Sequence, residues 1–67
     1  MRDIVAELEI EKQELLDKSY KLQDFTNTDQ FKDLSLINRD LLVAQLGAMR
    51  TYKHILTARI TILKEEA

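Results

Sequence analysis

The sequence predicts an all-α protein, an antiparallel, coiled-coil-like two-helix hairpin that assembles with copies of itself into a helical bundle. Two observations predict the hairpin. Apolar residues recur at three- and four-residue spacing along two long stretches. The 67 residues include no proline and one glycine, Gly47, which excludes turn-rich β, collagen-like and linker-like chains. A third observation predicts the assembly. Numbered at about 100° per residue from Arg39, Ile37, Leu41, Leu42, Leu46, Ala48, Met49, Tyr52, Ile55, Leu56, Ile60, Ile62 and Leu63 fall in one arc of roughly 200°. A surface helix needs a stripe only somewhat wider than 100°, so one short partner helix leaves half of this arc uncovered.

Size points the same way. A single domain over residues 1–67 gets roughly 3–5 kcal/mol from its own core and commonly leans on disulfides, a metal or association. There is no cysteine, and a lone histidine builds no zinc or iron site. Association remains. The apolar arc nominates Leu42, Leu46, Met49, Leu56 and Leu63 as the interface between copies.

The first helix is expected over residues 2–24. Ile4, Leu8, Leu15 and Leu22 lie within about 40° of one another, a narrow seam at near-heptad spacing. Val5, Leu16 and Tyr20 form a shoulder beside it, and Asp3, Glu7, Glu11, Glu14, Asp17 and Asp24 take the opposite face. Acids early and Lys18 and Lys21 late suit the helix dipole.

Residues 25–35 interrupt the pattern with Asn, Thr, Asp and Ser, whose side chains bond nearby backbone and favour caps and turns. Thr28 is placed to cap a short turn containing Phe31, and Ser35 to cap the second helix. Phe25 and Phe31 are expected to plug the closed end. The second helix is expected over residues 36–64, similar in length to the first, which makes an antiparallel hairpin.

Charge is divided between the helices. Residues 1–24 hold seven acids and four bases, net −3; residues 36–67 hold five bases and three acids, net +2. The whole chain is net −2 with pI near 5.3, against the strong basic excess of a nucleic-acid domain. The acidic start lacks a signal peptide's apolar run, and no stretch approaches the ~20 apolar residues of a membrane span. Action in a cytoplasm is expected.

Candidate binding residues lie on the second helix. Arg39, Arg50, Lys53, His54 and Lys64 form a basic row that suits phosphates, or equally the acidic helix of a neighbour. Arg59 falls inside the apolar arc, where a guanidinium must be paired. At the level of Asp3 and Glu7 it serves as a structural ion pair or as a grip on an anion between subunits. Tyr52 can stack on a base or simply fill the core. The acidic row of the first helix is the wet side of that helix. The sequence contains no nucleophile–base pair, glycine-rich phosphate loop or metal set, so no catalytic residue and no cofactor is expected. Two readings stand: a module binding a small anion through Arg50, Tyr52, Lys53 and Arg59, or an adaptor or inhibitor occupying another protein through its helical surface.

Phe31-x-x-Leu34-Ser35, followed by Leu41-Leu42-x-x-Gln45-Leu46-x-x-Met49-x-x-Tyr52-x-x-Ile55-Leu56-x-x-Arg59-Ile60, resembles a pattern in small phage and prophage proteins. It covers about residues 31–60, and much of it is ordinary helix periodicity. More distantly, the hairpin is similar to the phage anti-CBASS and anti-Thoeris sponge proteins. That resemblance implies a hexamer of hairpins that sequesters cyclic-nucleotide immune signals uncleaved in the host cytoplasm. It also implies that Arg59 and Tyr52 lie near the ligand. This chain departs from those sponges in a longer, proline-free connection between its helices.

Overall fold

A computed structural model describes residues 3–66. Met1, Arg2 and Ala67 lie outside them, so the expected first residue of the first helix, Arg2, has no counterpart here. The described chain comprises α1 (Ile4–Thr26), the single turn α2 (Asp29–Lys32) and α3 (Leu36–Glu66). Among the described residues there is no strand.

Each helix starts at a side chain that accepts an otherwise unpaired backbone N–H. The Ala6 N–H donates to Asp3 Oδ1 at 3.1 Å and opens α1. α1 closes as the N–H groups of Asn27 and Thr28 fold back onto the carbonyls of Asp24 and Phe25, at 3.1 and 3.0 Å. Thr28 then works in two directions. Its hydroxyl donates to the Phe25 carbonyl at 2.7 Å and accepts the Phe31 N–H at 3.3 Å, so one side chain ends α1 and begins α2. Ser35 Oγ accepts the Asn38 N–H at 3.3 Å and opens α3. Phe25 and Phe31 meet edge to face at the closed end, ring centres 6.2 Å apart, a favourable aromatic geometry.

α1 and α3 lie antiparallel in a rod of 49 × 16 × 14 Å. Contacts fix the direction: Leu8 packs with Leu56 and Ile60 near the open end, and Glu11 reaches Tyr52 farther in. The core is small. Leu8, Leu56 and Ile60 form its centre, with Val5, Leu15 and Leu63 packed against it, and Leu46 is buried separately toward the closed end.

α1 buries three aliphatic side chains of α3, Leu46, Leu56 and Ile60, and all three come from one half of the apolar arc. Of the five residues expected between copies, Leu46 and Leu56 are therefore buried within the chain itself. Leu42, Met49 and Leu63 are half-buried on the same side. Ile37, Leu41, Ile55 and Ile62, in the other half, are exposed.

Candidate functional site

At the open end, a cleft of about 300 Å³ lies between the first turn of α1 and the last turns of α3. It is lined by Ile4, Arg59, Ile62 and Leu63. That volume is at the small end of ligand pockets. The cleft has a local cause. Ile4 is the first residue of α1, with no preceding turn to pack it down, and it stays exposed rather than joining the seam with Leu8. Three aliphatic walls and one guanidinium result.

Arg59 does not have the buried position that its place in the arc implies; it is exposed at the rim. The reason is geometric. α1 covers the side of α3 that carries Leu46, Leu56 and Ile60, and Arg59 stands about 100° from Ile60, clear of the contact. Asp3, one of its expected partners, caps α1 instead. Gln45, in the same arc, is likewise exposed.

Seven residues before Arg59, and hence on the same edge of α3, Tyr52 leans toward α1 and its hydroxyl donates to Glu11 Oε1. This bond raises the Tyr52 pKa above the ordinary tyrosine value, and the nearby Arg59 charge pulls the other way. Glu11, Tyr52 and Arg59 thus share one electrostatic neighbourhood along the α1–α3 groove. An acid, a phenol and a guanidinium follow one another toward the cleft.

The remaining expected binding residues lie elsewhere. Arg59 follows Arg50 by nine positions, about 180° around the helix, so the two occupy opposite faces. Lys53 is half-buried on the side facing α1. Lys64, in the same basic row, pairs with Glu9 of α1 at 3.0 Å, so part of that row answers the acidic helix of its own chain. Within one chain, then, Tyr52 and Arg59 come together, and Arg50 and Lys53 do not join them.

Chemically, the cleft can hold an anion with an apolar or flat body. A guanidinium offers a planar fork of donors that matches phosphate or carboxylate, and the aliphatic walls accept a ring. The wall residues Ile4, Ile62 and Leu63 escape a sequence reading because a helical period marks them only as apolar. Among the described residues, no group of His, Asp or Glu is placed to hold a metal, and no helix is long and apolar enough to cross a membrane.

The sequence matches a family model described as Sequestin over residues 2–62. No curated protein and no solved structure matches it.

Proposed function

The chain belongs to the Sequestin family, and from that premise we propose that it is a non-enzymatic binding protein that sequesters small anionic ligands. The cyclic nucleotides of antiviral signalling are the foremost class, and anti-defence in the cytoplasm of a phage-infected cell is the setting. The family name speaks for sequestration. The observation that carries the anionic ligand is the exposed Arg59 guanidinium standing over an apolar cleft with no acid among its described lining residues.

In this reading Arg59 grips a phosphate and Ile4, Ile62 and Leu63 hold the base. Tyr52 stacks or donates along the groove once Glu11 releases it. Arg50 and Lys53 reach the same ligand only from a neighbouring copy, because they lie on other faces of α3. The cleft is small for a cyclic dinucleotide, so the complete site is a junction between copies of a homo-oligomer. The ligand leaves unchanged in this reading, since none of the described lining residues, Ile4, Arg59, Ile62 and Leu63, is a nucleophile or a general base.

A thermal melt against a panel of cyclic di- and trinucleotides tests this. A ligand that binds only the folded state stabilises it by RT ln(1 + [L]/Kd), about 2.7 kcal/mol at 100-fold excess over Kd. Arg59→Ala should abolish that gain while leaving the ligand-free melt in place, because its side chain is outside the core. A melt indifferent to the whole panel removes the sponge reading. It favours the adaptor, which would hold a host or phage protein on the exposed half of the α3 arc.

A further inference from the structure

The outer half of the α3 arc has an order of its own. Leu41, Ala48, Ile55 and Ile62 recur every seven residues, and so do Ile37, Ala44, Thr51 and Ala58. Together they alternate four and three residues apart from 37 to 62, the a/d spacing of a coiled-coil seam. All eight are exposed, and Ile37, Leu41, Ile55 and Ile62 keep between 51% and 68% of their surface in water. The seam faces away from the side on which α1 sits.

We propose that this seam binds the same seam of a second copy, antiparallel, with a two-fold axis passing between Met49 and Arg50. The order of side chains selects both the occupant and the direction. Reversed upon itself about that axis, the seam sets Ile37 against Ile62, Leu41 against Ala58, Ala44 against Ile55 and Ala48 against Thr51. Each pair recurs on the other side of the axis. Every alanine or threonine near an end then meets a large residue, and the small layers fall together at the centre. There the backbones can approach toward the near end of the 8–10 Å range for packed helices.

A parallel pairing fits worse. It places Ala44, Ala48 and Ala58 each against itself and leaves hollow layers between crowded ones, which close packing disfavours. It also brings Arg59 beside His54 of the other chain, the contact made by flanking positions in a parallel coiled coil.

The exposed area is enough for such a partner. A compact monomer of 7.9 kDa exposes roughly 4,400 Å², whereas this chain exposes 5298 Å². The excess, on the order of 900 Å² per chain, is about what each partner contributes to a standard stable interface.

This dimer gives the homo-oligomer of the functional reading one of its surfaces and adds a wall to the cleft; Arg50 and Lys53, near the two-fold axis and on other faces of α3, reach the ligand only across a further junction. Ile62 belongs to both seam and cleft, so the first turn of the other copy's α3, at Ile37, closes over the wall beside Arg59. Each dimer carries two such clefts, one at either end.

The test uses the full chain without ligand, so that it can fail separately from sequestration. Sedimentation equilibrium should give at least twice the chain mass at micromolar concentration. Ile55→Glu should halve that mass and raise the dissociation constant at least tenfold, while far-ultraviolet circular dichroism keeps its helical signal. Direction is read by oxidative cross-linking, which the absence of native cysteine makes clean. A mixture of Leu41→Cys and Ala58→Cys chains should form mixed disulfide dimers, and Leu41→Cys alone should not. A wild-type mass equal to one chain, a mass unmoved by Ile55→Glu, or cross-linking of Leu41→Cys with itself each overturns the proposal.

Discussion

Ile55 and Leu56 are neighbours in the chain and opposites in the fold. Ile55 leaves 51% of its surface in water, and Leu56 leaves none. They head the two stripes of one helix. The inner stripe, with Leu42, Leu46, Met49, Leu56, Ile60 and Leu63, is large throughout. The outer stripe places Ala44, Ala48, Thr51 and Ala58 between its few large members. α1 settles on the side where burial removes most apolar surface from water, since the gain scales with area at about 25 cal/mol per Å². The outer stripe is not a weaker copy of the inner one. Its small side chains suit close approach of another helix, a different use of the same periodicity.

The largest expected effect would break this comparison if it failed. Leu56→Ala should cost about 2–5 kcal/mol, the range for a fully buried leucine, which is comparable with all the stability so small a core supplies. Urea titration should find the variant largely unfolded. Ile55→Ala, one residue away, should stay within about 0.5 kcal/mol of wild type when measured at a dilution that keeps the chain monomeric. Equal losses at the two positions would mean that the stripes are not distinct.

Gly47 sharpens the contrast on the outer side. A methyl group added there meets nothing within 4 Å, so Gly47→Ala should stabilise the monomer by about 1 kcal/mol through helix propensity. A differential melt at low concentration checks this. If the same variant weakens association, the glycine serves the approach of a second helix rather than the hairpin.

A smaller effect concerns the ion pair across the open end. Lys64 and Glu9 are both more than half exposed, so Lys64→Gln should shift stability by no more than about 0.5 kcal/mol, and less in high salt.

The last prediction concerns pH. The bond to Glu11 holds the Tyr52 proton more tightly in the folded chain than in the unfolded one. Its contribution is therefore complete below about pH 10, the unfolded value, and is lost as pH rises through the higher folded value. Spectrophotometric titration should show Tyr52 ionising later in wild type than in Glu11→Gln, in which the carboxylate charge is gone.

Much of the fold was legible in the sequence because local chemistry decides it. Thr28 and Ser35 stand where a hydroxyl can reach the N–H three residues on, and both do so. Phe25 and Phe31 flank the turn and meet across it. The candidate site was less legible. Arg50 and Arg59 look alike as cations on one helix, and the step of nine positions from one to the other places them on opposite faces. Arg59 within an apolar arc implied burial, yet it is exposed, because an arc marks every direction a helix must satisfy and does not say which of them the chain satisfies itself.

Two long helices, their caps, their antiparallel return and an apolar arc too wide for one neighbour follow from spacing along the chain and from side-chain reach of a few residues. That α1 takes the Leu56 side emerges only when the two helices pack. The same packing decides that Ile4 stays out of the core to wall a cleft, and that Tyr52 is bonded to Glu11 and Arg59 left at the rim. These outcomes depend on how one helix is rotated and shifted against another. Side-chain volumes summed over the whole contact set that rotation, and helical periodicity, which repeats identically on both sides of the arc, carries no information about it.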